Sequence, residues 1–281
     1  MLTTRERSVS PQLMAAIRAE AVLTEELTPY RFHVSEDIYT SIVLHSDRER
    51  GWKSVLHPTI ESKMLSPQDL LAWSIQRFKY AGGSLDIAFN DNPIFRSGLT
   101  LPQKLMYGST FWSYLGSVWN LMFLLGPIIY LATGISPVSA YSADFFLHAV
   151  PFLVLLELAM MVGTWGKGGF ASKASYIAFF PLGLKALFTV LRGRKIAFPV
   201  TPKQRQSGRF LNLVRPQMAV VGLTLASGAW ALLALRLGRE GYSLTGVSTN
   251  LAWGLFNCSA MMTVIRAALW APRSKTGQVT A

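Results

Sequence analysis

The chain has 281 residues, of which 51% are hydrophobic and only 15% are charged. Soluble domains usually carry about 25% charged residues, so this composition speaks against an ordinary soluble domain. The single cysteine, Cys258, excludes a disulfide scaffold and a cysteine-based zinc site. Residues 1–108 hold 12 basic and 12 acidic side chains, whereas residues 109–281 hold 15 basic and three acidic ones, mixed into long apolar runs. This pattern favours an integral membrane protein over a nucleic-acid-binding protein.

The first 108 residues predict a cytoplasmic segment. The first 30 residues lack the apolar core of a signal peptide. Ser35, followed by Glu36 and Asp37 and by apolar residues at helical spacing, indicates a helix that starts with an acidic first turn. From this stretch alone, a helix N-terminus and a functional carboxylate pair are equally good interpretations.

Two further elements are predicted before the first membrane span. Residues 51–57 indicate a turn leading into a short strand. Residues 67–81 indicate an amphipathic helix at the membrane interface, with Pro67 at its first position, and the pair Gly82-Gly83 is expected to end or kink it. His33, His45 and His57 are spaced twelve apart, which is not a metal-ligand spacing, so packing or surface roles are predicted for them.

Four apolar runs are long enough to cross a bilayer: residues 110–134, 145–163, 216–235 and 246–265. A fifth run, residues 176–191, contains Pro181 and Lys185, and it is predicted to be an interfacial helix. Residues 164–215 carry ten basic side chains and no acidic one. The positive-inside rule therefore places this loop and both termini in the cytoplasm, in an inner or plasma membrane. The basic loop at residues 236–239 goes against this rule.

Four motifs occur in an informative order along the chain. They are Ser35-Glu36-Asp37, Gly51-Trp52-Lys53-Ser54, Gln76-Arg77-Phe78-Lys79-Tyr80 and Phe198-Pro199-Val200-Thr201-Pro202-Lys203. Their order, with spans between the last two, resembles the second half of a membrane-embedded, processive family 2 glycosyltransferase of the cellulose synthase or β-glucan synthase kind. The resemblance covers about residues 33–270.

This resemblance implies roles for three of the four motifs. Asp37, with Glu36 beside it, would be the general base that takes a proton from the attacking sugar hydroxyl. Gln76, Lys79 and Tyr80 would bind the acceptor end of the polymer. A gating loop that closes over the nucleotide would contain Phe198, Val200, Thr201 and Lys203. The chain departs from the family pattern in two places, because Lys79-Tyr80 replaces Arg-Trp and Ser35 replaces Thr. Lysine lacks the rigid bidentate fork of arginine, so the sugar or linkage handled could differ.

The family's donor-binding motifs are not found in this chain. They lie upstream of the general base and include an Asp-x-Asp, but Asp37 is the first aspartate here. We therefore expect the chain alone to bind no nucleotide sugar and no metal. The family implies that Mg²⁺ and the nucleotide sugar are held by a missing half, which a partner polypeptide could supply. The other expected partners are the lipid bilayer and the growing polysaccharide, and no nucleic acid.

The resulting prediction is a mainly α-helical integral membrane protein with four transmembrane helices, interfacial helices and a partial α/β glycosyltransferase fragment. The predicted divisions are a glycosyltransferase segment at 1–66, an interfacial helix and connection at 67–108, a channel region at 109–270 with the gating loop near 192–209, and a tail at 271–281. The predicted function is the acceptor-binding and channel portion of a hexosyltransferase that extends and translocates a polysaccharide. The alternatives are an inactive, truncated synthase fragment and a non-enzymatic transporter or scaffold with Glu157 as its functional carboxylate.

Overall fold

The computed structural model describes residues 12, 33–60, 62, 66–137, 143–196 and 209–270. Within residues 33–270 of that set the chain forms α-helices and one short 3₁₀ helix, and no β-strand. The α-helices are α1 Glu36–Ser46, α2 Leu70–Asn90, α3 Leu101–Thr133, α4 Ala143–Gly163, α5 Phe170–Ala178, α6 Phe180–Leu191, α7 Arg215–Arg236 and α8 Leu244–Leu269. The gating-loop residues Phe198, Val200, Thr201 and Lys203 and the tail at 271–281 lie outside the described residues.

The four predicted spans are confirmed as helices that are long and apolar enough to cross a membrane. They are α3, α4, α8, and α7 together with the 3₁₀ turn Leu211–Val214 that precedes it. Helix α3 starts nine residues earlier than the uncharged run suggests, because a capping box between Thr100 and Gln103 satisfies its first free backbone groups. It ends at Gly134, whose φ of 73° is the left-handed geometry that glycine adopts at little cost.

The predicted interfacial helix at 176–191 is a bent pair of helices in the structure. Helices α5 and α6 meet at an angle of 45°, and together they are long and apolar enough to form a fifth, broken span. Pro181 lies in the first turn of α6, where a missing backbone N–H breaks no helical hydrogen bond. The break leaves a carbonyl free at Ala178, and the buried side chain of Gln217 donates a hydrogen bond to it at 2.9 Å.

Two predictions about the N-terminal third are wrong. Gly82-Gly83 does not end a helix, because α2 continues to Asn90 and both glycines are buried in its middle. The short strand expected at 51–57 does not form. A strand needs a hydrogen-bonding neighbour, and Val55 and Leu56 are instead 88% and 89% exposed. The partial α/β fragment is therefore not seen in the described residues of this segment, which are a helix and extended chain.

The core lies where α3, α7 and α8 meet the bent pair. Its buried side chains include Leu124 of α3, Phe180 of α6, Val220 of α7 and Met261 of α8. A second cluster joins α2 to α6 through Leu85 and Ala186 among others. Helix α4 differs, since none of its residues is buried. The acidic and acceptor motifs thus lie at the start of α1 and on α2, and α2 packs against α6 and α3.

Candidate active site

The acidic pair lies at the start of α1. Glu36 and Asp37 are exposed in its first turn, and Ser35 is the N-cap residue. The Ser35 side chain makes no capping hydrogen bond, although its position agrees with the prediction. Asp37 accepts a hydrogen bond from the Ile38 amide at 2.8 Å through one carboxylate oxygen. The carboxylates therefore face solvent, where a substrate hydroxyl can reach them.

The segment before α1 is held tightly against α2. Ser35 is buried, and a Cβ added to Gly83 would overlap its Oγ and lie 2.7 Å from Val34 Cγ1. Gly83 thus lets the two backbones approach more closely than any side chain would allow. Next to this contact, the His33 ring joins the Ser35 amide to the Asp86 carboxylate of α2. The acidic pair is therefore attached to α2 on its N-terminal side.

The other end of α1 is attached to the second motif and to α3. His45 bridges the Tyr107 hydroxyl, 2.8 Å from its Nδ1, and the Ser54 hydroxyl, 2.7 Å from its Nε2. Ser54 is the last residue of the Gly51–Ser54 motif. Between the two ends, Tyr39 and Ile42 of α1 pack in one buried cluster with residues of α2 and α3. Helix α1 is therefore fixed at both ends and along its length.

The predicted acceptor residues lie on α2, close to this contact. Gln76, Lys79 and Tyr80 are at most partly buried, and the Lys79 ammonium lies 5.9 Å from the centre of the Tyr80 ring. Tyr80 is three residues before Gly83, which at 1.5 Å per residue is about 4.5 Å along the helix axis. Helix α2 thus carries both the predicted acceptor residues and Gly83, the glycine that contacts the acidic segment.

The chain that leads into the predicted gating loop reaches the same helix. A Cβ added to Gly82 would lie 2.6 Å from Cδ1 of Ile196, two residues before Phe198. Ile196 and Ser35 therefore contact adjacent glycines of α2. The four predicted gating residues themselves fall on residues 197–208, whose positions the structure does not describe.

A cleft opens beside α2, between α3 and α5. Its volume is about 290 Å³, and its walls are mainly aromatic rings and hydroxyl groups. The lining residues are Trp73, Arg77, Ser113, Tyr114, Ser172, Ser175, Tyr176 and Phe179. Sugar rings bind such surfaces through their apolar faces and their hydroxyls. We refer to it below as the Trp73 cleft.

The Trp73 cleft owes its shape to small residues on α3. Tyr176 donates a hydrogen bond to the Ser113 carbonyl at 2.9 Å, and its hydroxyl lies where a Cβ of Gly116 would be. Arg77 lies 5.7 Å from the centre of the Trp73 ring, a distance at which a cation is attracted to an aromatic face. A larger cavity of about 510 Å³ shares Trp73 and extends to the end of α8.

Sequence reasoning missed the residues that seat the acidic pair. His33 was given only a packing or surface role, and the pair Gly82-Gly83 was expected to end or kink its helix. One signal could have corrected this, since apolar residues at helical spacing continue past the glycines through Leu85 and Ala88. Nothing in the local pattern pairs His33 with Asp86, because 53 residues separate them.

The described residues do not fit the divalent cation that the family implies. Among them, no three His, Cys, Asp or Glu side chains come together in a way that could hold a metal ion. The acidic pair is exposed, and its neighbour His33 is engaged with Ser35 and Asp86. We therefore derive no chemical step through a metal at this site.

Fold and site together define a helical bundle with four helices long and apolar enough to cross a membrane, an exposed carboxylate pair on α1 and an aromatic cleft beside α2. The sequence profile of the Glycosyl transferase family group 2 matches residues 5–166, more than half of the chain. The chain belongs to this family of glycosyltransferases, and its relatives are of the cellulose synthase type.

Three relatives illustrate the likeness. "Cellulose synthase 2" of Novacetimonas hansenii is 30% identical over 235 residues, which are 78% of this chain and 14% of that protein. "Cellulose synthase 1 catalytic subunit [UDP-forming]" of Komagataeibacter xylinus is 25% identical over 241 residues, 83% of this chain and 32% of that protein. The corresponding catalytic subunit of Pseudomonas fluorescens is 25% identical over 234 residues, 80% of this chain and 30% of that protein. The chain thus spans a third or less of the length of these relatives.

Proposed function

We propose that this chain is the acceptor-binding and membrane-channel portion of a cellulose synthase-like β-glycosyltransferase that extends and translocates a polysaccharide from a nucleotide sugar. One observation carries the proposal. The acidic segment and the chain leading into the gating loop contact adjacent glycines, Gly83 and Gly82, on the helix that holds the acceptor motif. The acidic motif and the residue two positions before the predicted gating loop thus both contact the helix that carries the acceptor motif, and this supports the proposal.

The chemistry that fits this place is glycosyl transfer with inversion. In our proposal Asp37 accepts the proton of the acceptor hydroxyl while the hydroxyl oxygen bonds to the anomeric carbon of the donor. The bond from that carbon to the diphosphate oxygen breaks, and the nucleoside diphosphate leaves with the bonding electrons. The exposure of Asp37 supports this role, because a substrate hydroxyl can reach its carboxylate.

The acceptor end of the polymer would lie along α2. Tyr80 offers an aromatic face for a sugar ring, while Gln76 and Lys79 offer hydrogen-bond donors. The Trp73 cleft, one to two turns earlier on α2, continues this aromatic and hydroxyl-bearing surface towards α3. The polymer would leave by that route, between helices long enough to cross the bilayer.

The donor requires parts that the described residues do not supply. We propose that a donor-binding half holds the nucleotide sugar and a divalent cation, either upstream in the same polypeptide or in a partner chain. The gating loop would then cover the diphosphate, with Thr201 and Lys203 meeting its negative charge. We propose an inner-membrane location in which both termini, α1 and this loop face the cytoplasm.

The transporter interpretation depended on Glu157 as an unexplained carboxylate within a span. In the structure Glu157 forms an ion pair with Lys173 of α5. This pairing gives the carboxylate a structural role that joins α4 to the bent pair. We therefore prefer the glycosyltransferase proposal to the transporter interpretation, and the assay below distinguishes an active portion from an inactive synthase fragment.

The proposal is tested by Asp37→Asn in membranes that contain the chain together with its donor-binding half. We expect the rate of polymer formation from the nucleotide sugar to fall by about 10²-fold or more, since general base catalysis contributes about 10²–10⁴-fold. The matched control is Glu49→Gln, an exposed carboxylate just after α1, which should leave the rate within about twofold of wild type. Undiminished polymer formation by Asp37→Asn, at equal protein levels, would contradict the role of Asp37.

A further inference from the structure

The hydrogen bonds of His33 determine which of its ring nitrogens carries the proton. The Ser35 backbone amide donates to Nδ1 at 3.0 Å. A backbone N–H can only donate, so Nδ1 must present its lone pair. Nε2 lies 2.8 Å from Oδ2 of Asp86, a carboxylate oxygen that can only accept when ionised. Both contacts are satisfied together by the neutral ring with its proton on Nε2.

The surroundings of the ring keep it in this position. The His33 side chain is 14% exposed, and its ring stacks on Tyr39 at a centroid distance of 5.5 Å. The other oxygen of Asp86 accepts a hydrogen bond from Asn90 at 2.6 Å, which orients the carboxylate. The Tyr39 hydroxyl in turn donates a hydrogen bond to the Asp91 carboxylate at 2.6 Å. Arg96 forms an ion pair with the Asp91 carboxylate at 2.7 Å.

We propose that neutral His33 is a positioning residue that holds the Ser35–Asp37 segment on α2, and that protonation of its Nδ1 releases this segment. The structural claim stands on the contacts above, and its consequence for catalysis rests on the proposed function. His33 makes no contact with Asp37 in the hydrogen bonds described, so it acts through the Ser35 backbone and not on the substrate.

The release follows from the geometry of the Nδ1 contact. A proton added to Nδ1 of His33 would point at the Ser35 N–H. The hydrogen bond between them would then be lost, because both groups would be donors and would repel each other. The Asp86 carboxylate attracts the charged ring, so the protonated ring would stay on α2 while the Ser35 segment moves away. The segment should therefore be held at neutral and alkaline pH and loosened as the pH falls. Since Ser35 precedes the general base by two residues, loosening it moves Asp37 away from the acceptor motif.

The test is amide hydrogen exchange of residues 34–38 in the full chain, purified in lipid nanodiscs. The chain offers a matched pair of variants, His33→Asn and His33→Gln. The Asn Oδ1 occupies the place of Nδ1 and can accept from Ser35, whereas the Gln side chain mimics the Nε2 end and cannot. At neutral pH we expect His33→Asn to exchange within about threefold of wild type, and His33→Gln about tenfold faster, which corresponds to one lost hydrogen bond of about 1.4 kcal/mol.

The pH dependence gives the second half of the test. Between about pH 8 and about pH 5, the range in which imidazoles titrate, wild-type exchange should rise about fivefold after correction for intrinsic chemistry. His33→Asn, which cannot titrate, should show no such rise. His148→Asn, a change at an exposed histidine of α4, should behave as wild type. Equal exchange in His33→Asn and His33→Gln, or the same acid rise in wild type and His33→Asn, would overturn the proposal.

Transfer assays with the donor-binding half separate this inference from the proposed function. If both hold, His33→Gln lowers kcat about tenfold with little change in the KM for donor, and His33→Asn, which keeps the Ser35 contact but lacks the Nε2 contact to Asp86, lowers kcat less. If wild type transfers no sugar while the exchange results are as expected, the proposed function fails and the positioning role stands. If transfer is normal and exchange does not respond to His33, the positioning role fails and the proposed function stands.

Discussion

Because Gly83 has no side chain, the backbone of α2 and the segment before α1 can approach each other closely. The buried Ser35 side chain occupies the volume where a Cβ of Gly83 would be, and Val34 closes the contact from the other side. Glycine in the middle of a helix costs roughly 1 kcal/mol relative to alanine, so α2 gives up intrinsic stability at this position. In our proposal this cost allows the general base to lie beside the acceptor motif.

Gly83→Ala should therefore impair transfer more than it impairs folding. The added methyl group must displace Ser35 and Val34, an overpacking that typically costs 1–3 kcal/mol and shifts Asp37 with the segment. We expect polymer formation to fall about tenfold or more, with a modest decrease in the thermal unfolding midpoint, and both can be measured on the same membranes. Gly126→Ala is the control, because nothing lies within 4 Å of a Cβ at that position of α3. Equal transfer rates for the two variants would contradict the seating role of Gly83.

At the scale of the helix, the bent pair shows how a break in a helix is stabilised. Proline at position 181 and the carbonyl left free at Ala178 would weaken a continuous helix. The buried Gln217 of α7 donates a hydrogen bond to the Ala178 carbonyl and so satisfies it. The Oε1 atom of Gln217 has no hydrogen-bond partner among the described residues. The hydrogen bond from Gln217 thus supports the angle between α5 and α6 from a separate helix. Tyr176 and Phe179 lie next to Ala178 at this angle, and both line the Trp73 cleft.

Gln217→Met tests this support without changing the size of the side chain much. It removes the donor to Ala178 and also the unpaired oxygen, so the two effects partly cancel. We expect a net loss of about 1 kcal/mol in stability, measured by thermal unfolding in detergent. Asn120→Ala removes a longer, partly exposed hydrogen bond of 3.3 Å to the Tyr176 carbonyl and should cost less. An unchanged unfolding midpoint for Gln217→Met, or an equal loss for Asn120→Ala, would contradict this account.

The helices and the site were predictable from sequence to different degrees. Long uncharged apolar runs predict membrane-spanning helices from hydrophobicity and length alone. The run at residues 216–235 is an example, because α7 covers all of it. The strand at 51–57 and the helix end at Gly82 were predicted wrongly. A strand depends on a neighbouring strand that the sequence does not identify. The glycine was misinterpreted because its local tendency to end a helix was given more weight than the apolar residues at helical spacing that follow it. The His33–Asp86 contact depends on tertiary packing and could not be derived from spacing.

For the whole molecule, the arrangement of the helices has one consequence for topology. In the proposed function, α1 with its acidic pair and the loop after α6 must face the same compartment. Helices α3 and α4, if both cross the membrane, return the chain to the side on which it started, and the bent pair α5–α6 must then enter and leave the membrane on that side. The positive charges of residues 164–215 predict that this side is the cytoplasm, as the proposed function requires. The short connection between α3 and α4 must then face the opposite side.

The single cysteine makes this topology directly measurable. In a Cys258→Ala background we would introduce Val55→Cys, Ile135→Cys and Arg194→Cys one at a time, at exposed positions after α1, after α3 and after α6. A membrane-impermeant maleimide should label Ile135→Cys in intact spheroplasts, and Val55→Cys and Arg194→Cys in inverted vesicles. Labelling of Val55→Cys and Arg194→Cys from opposite sides would separate the acidic pair from the loop after α6. In that case one active site could not contain both, and the proposed function would be wrong even if each helix is placed correctly.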